Sequence, residues 1–121
     1  MKKYIISIDA GTTSNRSILF DLKGKPVFSS QKEFTQYFPK SGWVEHNPEE
    51  IWRTTLKTLK DVIQKAKRLR GKILSIGITN QRETTVLWDK KQESPFIMQS
   101  FGKIEDKRSF VKNLESKIKI L

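Results

Sequence analysis

Two polar stretches of this 121-residue chain carry residue types that could bind a ligand, a phosphate at the first and a polyol at the second. The first is IDAGTTSNR, residues 8–16, in which Asp9 ends an apolar run and is followed by Gly11 and three hydroxyl residues. Backbone amides and hydroxyls in such a turn can face phosphate oxygens, while the carboxylate can hold a magnesium ion. No lysine follows the glycine as a Walker loop requires, and an ordinary β-hairpin explains the same composition at least equally well.

The second stretch is TNQRE, residues 79–83, which follows another predicted strand. In α/β sheets, ligands bind beyond the carboxyl ends of the strands. Arg82 and Glu83 place donors and acceptors side by side, which suits the adjacent hydroxyl groups of a polyol. The alternative is a solvated turn with a surface ion pair worth at most about 1 kcal/mol, and the residues alone slightly favour it.

Trp43 and His46 lie in the third polar segment, GWVEHNP, residues 42–48. They could stack on a ligand as a pair. The pattern favours a structural role instead, in which they pack this loop and cap the helix that follows.

The elements that must position these residues follow from the pattern of the chain. Residues 4–8, 17–20 and 27–38 are predicted strands with turn residues between them, which indicates an antiparallel meander of three strands. Asn47 is a good N-cap and Pro48 suits the first helical position, and apolar residues then recur at helical spacing to about residue 69. Residues 73–78 and 84–88 are further predicted strands. We therefore predict an α/β fold, with a mixed sheet and a crossover helix.

Composition narrows the class of protein. The chain has a formal charge of +11 and 36% hydrophobic residues, with no cysteine and one histidine. Disulfides, thiolate metal sites and a histidine-only zinc site are excluded. The lysines are scattered along the chain, which favours a solvated basic surface over nucleic-acid binding. No apolar run reaches the roughly 20 residues of a membrane span, and MKKYIISIDAG reads as a buried strand and not as a signal peptide. We expect a cytoplasmic protein without a nucleic-acid or membrane partner.

Three stretches together carry a resemblance to a known family. YIISIDAGTTSNRSILFD looks like the phosphate motif of the FGGY carbohydrate kinases, which belong to the actin-like ATPase superfamily with its ribonuclease H-like domains. FPKSGWVEHNPEEIW and IGITNQRETTVLWD resemble the glycerol kinase branch of that family in particular. The resemblance covers residues 3–91 and implies part of an actin-like N-terminal domain.

The resemblance implies roles for the candidate residues in ATP-dependent phosphorylation of glycerol to glycerol 3-phosphate, with ATP and Mg²⁺ as cofactors. Arg82 and Glu83 match the pair that binds the glycerol hydroxyls, and Asp9 matches the aspartate near the magnesium ion. The residues that match the ATP-phosphate turn are Thr12, Thr13, Ser14 and Arg16. Ala10 and Asn15 depart from the usual glycerol kinase pattern, which leaves another FGGY kinase, acting on a pentulose or a similar sugar, as an alternative.

The last part of the chain does not fit the resemblance, so we divide it into residues 1–91 and a non-homologous tail, residues 92–121. The family continues with a stretch like IYNAIVWQDRRT. The codons for residues 94–107 can be read in a shifted frame, in which the last nucleotide of each codon is joined to the first two of the next. With permitted codon choices, this frame encodes TIYNAIVWQDRRQ. A one-nucleotide loss near Lys90 and Lys91 therefore explains the tail as out-of-frame sequence.

This division sets an expectation for activity. No residue here matches the family's catalytic aspartate, so we expect this polypeptide alone to be inactive and marginally stable. A genuine tail, forming a basic helix from about residue 106, would instead leave room for a small basic nucleic-acid-binding protein or a non-catalytic interaction protein.

Overall fold

The computed structural model describes residues 1–82, 84–89 and 94–100, with side chains described to Arg82 and at Thr84 and Val86. It contains seven strands and one helix within those residues. They are β1 (Lys3–Ala10), β2 (Ser14–Asp21), β3 (Pro26–Glu33), β4 (Val44–Glu45), α1 (Pro48–Arg68), β5 (Lys72–Asn80), β6 (Thr84–Asp89) and β7 (Ser94–Ser100).

The larger sheet has the strand order β3-β2-β1-β5. β1, β2 and β3 form the predicted antiparallel meander, and β5 returns beside β1 in parallel after α1 has crossed over the sheet. The prediction of a mixed sheet with a crossover helix is thereby confirmed. A smaller antiparallel sheet has the order β4-β7-β6, so residues 94–100 of the segment assigned to the tail pair with strands on both sides.

The third strand is shorter than the sequence indicated. It ends at Glu33 and not at residue 38, because the chain turns inward at Phe34, whose amide donates to the carbonyl of Thr13 at 3.2 Å and whose side chain is buried. Beyond this point Tyr37 makes only an isolated bridge to Glu45. The alternation of apolar residues in the sequence therefore extends beyond Glu33, the last residue of β3 that pairs with β2.

The helix begins and ends where its terminal residues predict. The side chain of Asn47 accepts a hydrogen bond from the amide of Glu49 at 2.9 Å, Pro48 follows, and basic residues occupy the last turn. The cap satisfies an amide of the first turn that has no partner within the helix, and the basic side chains compensate the negative end of the helix dipole. Arg70 then adopts a left-handed φ of 52°, and the amide of Gly71 donates to the carbonyl of Ala66 at 2.9 Å.

One side of the larger sheet is only partly covered. The core lies under α1 and consists of buried residues from β1, β2 and the helix, which are Tyr4, Ile6, Ile8, Leu19, Val62 and Ala66. Ile76 and Ile78 of the edge strand β5 pair with Ile6 and Ile8 and so share their face, but they are 45% and 74% exposed. The helix packs chiefly on β2 and β3, which leaves this apolar part of β5 in solvent.

Within the residues described, no helix is long and apolar enough to cross a membrane.

Candidate active site

The two polar stretches meet at one end of the larger sheet. β1 and β5 run in parallel, and their register pairs Asp9 with Thr79 and Ala10 with Asn80. Carboxyl ends of parallel neighbours lie at the same edge of a sheet, where ligands of α/β proteins bind. Two candidates that are 70 residues apart in sequence are thus brought together by strand pairing.

The first stretch forms a hairpin turn between β1 and β2. The amide of Gly11 donates to the carbonyl of Ser14 at 3.0 Å, and a Cβ at Gly11 would lie 2.9 Å from that oxygen. Only glycine fits this close approach of the backbone. Thr12 and Thr13 are exposed at the tip. The hairpin alternative is therefore correct as a description of the backbone, and it leaves the hydroxyls accessible to a ligand.

A hydrogen-bonded chain of side chains supports this turn on the sheet face away from α1. Arg16 Nη2 donates to Gln31 Oε1 at 3.0 Å, and Gln31 Nε2 donates to Ser14 Oγ at 2.7 Å. Gln31 lies across from Arg16 on β3. It fixes the guanidinium beside the turn, where a positive charge would favour an anion. Sequence reasoning missed Gln31, since only the strand register shows its position.

Asp9 lies at the carboxyl end of β1 with an exposed side chain. It pairs directly with Arg16 of β2, and therefore shares a face with it. No group of three or more histidine or acidic residues that could hold a metal ion occurs among the described residues. Mg²⁺ needs less from the protein, since one or two carboxylates suffice when phosphate oxygens and water complete its shell. Asp9 beside hydroxyl groups fits that donor set.

The second stretch leaves β5 at the same end. Asn80 Nδ2 donates to the carbonyl of Gln81 at 3.2 Å, and Arg82 is exposed. The Oε1 atom of Gln81 and the Oγ1 atom of Thr84 are buried without a hydrogen bond in the described part of the chain. Glu83 lies outside the described residues, so its pairing with Arg82 remains a prediction from the sequence.

Asn15 is a second residue whose role the sequence did not reveal. It follows the turn on β2 and is fully buried against the start of α1. Its Nδ2 donates to the carbonyl of Ile51 at 3.0 Å and to Thr54 Oγ1 at 2.6 Å. Ser17 and Thr58 repeat the pattern, with 2.9 Å between their hydroxyl oxygens. A polar ladder therefore connects the β1–β2 hairpin to the helix.

Replacing Asn15 by alanine is expected to lower the free energy of unfolding by about 2 kcal/mol, because it removes two hydrogen bonds between β2 and α1 and leaves a small cavity at a fully buried position. Thr54→Val should cost less than that, and the double variant should show a coupling energy of about 1 kcal/mol. Urea unfolding followed by circular dichroism measures all three. Thr55→Val, at the neighbouring half-buried position, is the matched control. Equal effects at positions 54 and 55, with simple additivity, would contradict the ladder.

His46 packs the loop, as the sequence favoured, and does not form a stacking pair with Trp43. Its ring is 3% exposed and meets Phe34 edge to face at 4.9 Å, and its Nε2 lies 2.6 Å from Gln36 Oε1. Trp43 instead lies under the ammonium of Lys40 at 5.0 Å. Asn47 caps the N-terminus of α1. Burial lowers the pKa of His46 from its ordinary value, and nearby Glu50 opposes that shift.

This lowered pKa predicts a pH-dependent stability. The unfolded chain takes up a proton more readily than the folded one, so the contribution of neutral His46 is present above about pH 6.5 and is lost as the pH falls toward the folded-state pKa. We expect the free energy of unfolding to fall between pH 7.5 and pH 5.5, and the slope to be smaller in His46→Gln. Identical slopes for the two proteins would contradict this.

Comparisons with known proteins agree with the sequence motifs. Residues 4–119 match the N-terminal domain of the FGGY family of carbohydrate kinases, and the chain belongs to this family. The glycerol kinase of Alkaliphilus metalliredigens is 57% identical over 95 residues, which are 78% of this chain and 19% of that protein. The glycerol kinase of Bacillus subtilis is 58% identical over 95 residues, with the same shares. The chain thus spans about a fifth of the length of these curated relatives.

Solved structures of the same family share the fold. A Plasmodium falciparum glycerol kinase with ADP gives a TM-score of 0.78 at 28% identity, over 97% of this chain and 24% of that one. A gluconate kinase from Lactobacillus acidophilus gives 0.77 at 25% identity, over 97% and 23%. These matches confirm the expectation of a partial actin-like, ribonuclease H-like domain.

Proposed function

We propose that the chain is the N-terminal segment of an ATP-dependent glycerol kinase, which transfers the γ-phosphoryl group of ATP to glycerol. The observation that carries the proposal is the parallel pairing of β1 with β5, which brings the turn at residues 9–16 beside residues 80–82. Identity of 57% to a glycerol kinase supports glycerol over the sugars of the other family members. We place the reaction in the cytoplasm, where ATP and Mg²⁺ are available.

The proposed roles follow from chemistry and from the family resemblance. Thr12, Thr13 and Ser14 offer hydroxyls and backbone amides to phosphate oxygens, and Arg16 adds a positive charge held by Gln31. Asp9 would hold Mg²⁺, which neutralises the charge that develops on the transferred phosphoryl group. Arg82 and Glu83 would hold two hydroxyls of glycerol and so aim the third at the phosphorus.

A chimera tests this function. Residues 1–91 of this chain replace the matching segment of the Bacillus subtilis glycerol kinase, and ADP release is measured with glycerol, xylulose and gluconate. We expect phosphorylation of glycerol alone. The second candidate is another FGGY sugar kinase, because a gluconate kinase and a xylulose kinase match this fold with TM-scores of 0.77 and 0.76. A preference of the chimera for xylulose or gluconate would favour that candidate.

Arg82 gives the next prediction. In the chimera, Arg82→Ala should lower kcat/KM for glycerol about a hundredfold, mainly by raising KM, because a charged donor to two hydroxyls is lost. Arg53→Ala is the control, since Arg53 is exposed on α1 and its guanidinium Nε donates to the carbonyl of Glu49 at 3.3 Å, within its own helix. Equal rates for the two variants would remove Arg82 from the substrate site.

We also propose that the 121-residue polypeptide alone is inactive. Phosphoryl transfer depends on positioning and electrostatics from both sides of a cleft, and the chain spans 19% of a relative's length. Ile76 and Ile78 are exposed on edge strand β5. They form an apolar surface that other parts of an intact enzyme would cover. ATP-dependent phosphorylation of glycerol by the purified chain would refute this.

The frame shift near Lys90 and Lys91 stays a proposal as well. Its support is the codon reading across residues 94–107. The family match itself runs to residue 119, so the nucleotide sequence must decide between a shifted frame and a divergent tail. Resequencing the gene through the codons for residues 88–108 should reveal one further nucleotide at the lysine codons. Codons that forbid the shifted reading would establish the tail as genuine.

A further inference from the structure

Eight basic side chains gather at the end of the larger sheet opposite the candidate active site. Strand pairing places Lys3 beside Lys72, whose amide donates to the carbonyl of Lys2 at 2.8 Å. The other members come from the β2–β3 turn and from the end of α1. We call this group the basic pole; its residues, all exposed, are Lys2, Lys3, Lys23, Lys25, Lys67, Arg68, Arg70 and Lys72.

The fold holds these three sources together. Tyr4 pairs with Asp21, so the turn at residues 21–25 lies beside the start of β1, and the amide of Asp21 closes that turn on the carbonyl of Lys25 at 3.0 Å. The end of α1 lies against the same strand, because Gly71 packs directly on the ring of Tyr4. Lysines that are scattered in sequence therefore share one surface.

The positive charge of the basic pole is not neutralised locally. Of the acidic residues in the described part of the chain, only Asp21 lies at this end, and its Oδ1 accepts from the amides of Lys23 and Lys25 at 2.9 Å. Within that described part, none of the eight cations forms an ion pair. The ion pair of Lys57 with Asp61 lies outside the basic pole. A concentration of unpaired cations attracts polyanions.

Two exposed apolar side chains near the basic pole indicate which kind of polyanion this surface suits. Leu22, at 56% exposure, lies in the turn between Asp21 and Lys23, and Met1, at 92%, precedes Lys2. Aliphatic side chains among cations suit a lipid surface, where lysines meet the phosphate headgroups and the aliphatic groups enter the acyl boundary. Single-stranded nucleic acid is instead bound on aromatic platforms, and the basic pole presents cations and aliphatic groups only.

We propose that the basic pole is a docking surface for an anionic lipid bilayer, with the candidate active site facing away from it. From the sequence we expected no membrane partner, because no apolar run is long enough to span a bilayer. The structure shows that the fold gathers the lysines. Each lysine or arginine near an anionic surface strengthens binding about fivefold, so several together suffice for reversible association.

The test is co-sedimentation of the purified 121-residue chain with vesicles of phosphatidylglycerol and phosphatidylcholine. We expect binding that weakens as salt rises, and none to phosphatidylcholine alone. The triple variant Lys23→Gln, Lys25→Gln, Lys72→Gln should lower the partition coefficient about a hundredfold. The matched control Lys32→Gln, Lys40→Gln, Lys60→Gln removes the same charge from exposed positions elsewhere and should lower it far less. Leu22→Ser should weaken binding without changing its salt dependence.

Circular dichroism of each variant accompanies the binding measurement. Equal losses in the two triple variants would overturn the proposal, since diffuse charge, in a folded or an unfolded chain, would then explain the binding. Absence of binding to phosphatidylglycerol vesicles by the folded chain would overturn it too. So would salt-sensitive binding to nucleic acid in place of vesicles, which would assign the basic pole to that class of partner.

Discussion

Replacing Gly71 by alanine is expected to lower the free energy of unfolding by about 3 kcal/mol, the largest loss of stability that we predict for a single methyl group. A Cβ at this position would overlap two ring carbons of Tyr4. The ring is 3% exposed and belongs to the core, so it cannot move aside without disturbing its neighbours. The substitution forces apart the turn after α1 and the first strand.

Gly77→Ala is the matched control for this prediction. Gly77 lies on β5, and a Cβ there would meet no atom within 4 Å. Alanine also restricts the unfolded chain, so its effect should be close to zero or slightly stabilising. Urea unfolding of both variants measures the difference. A Gly71→Ala protein as stable as Gly77→Ala would mean that α1 does not end against Tyr4.

The second large effect concerns Asp9. In the chimera with the Bacillus subtilis glycerol kinase, Asp9→Asn should lower kcat about a thousandfold, because the amide keeps the shape of the side chain but loses the charge that we propose holds Mg²⁺. Asp9 is exposed at the end of β1, so we expect the variant to fold normally, and circular dichroism checks this.

Its control is Asp21→Asn, since the Asp21 carboxylate lies at the other end of β2, where it accepts from the amides of Lys23 and Lys25 in a turn. That variant should retain nearly full activity. Raised Mg²⁺ should partly restore the Asp9→Asn enzyme, since its metal affinity and not its structure is impaired. An Asp9→Asn chimera with unchanged activity would remove Asp9 from the metal site.

Local signals in the sequence predicted most of the elements. Asn47 and Pro48 mark the start of α1, and the turn residues around Gly24 separate two strands, because caps and turns depend on residues close together in the chain. The position of Phe34 shows the limit of such signals. Its apolar side chain continues the alternation of β3, yet it turns inward and packs against His46, and only tertiary packing decides that.

The candidate site likewise contains residues that sequence motifs predict and residues that only the structure reveals. Motifs predicted Asp9, the hydroxyl turn and Arg82 as candidates, because these residue types suit the binding of a metal ion, a phosphate and a polyol. They could not identify Gln31 or the pairing of Asn15 with Thr54, which depend on strand register and on the rotation of α1 over the sheet. The basic pole was missed for the same reason, because its eight residues come from three separate segments of the chain.

The steady-state rate of glycerol phosphorylation by the unmodified chimera tests the central claim most directly. If residues 1–91 carry the glycerol and phosphate contacts of a glycerol kinase, its kcat/KM should lie within about tenfold of the parent Bacillus subtilis enzyme, a loss that imperfect packing at the junction explains. A folded chimera that turns over glycerol no faster than its own Asp9→Asn variant would contradict the claim.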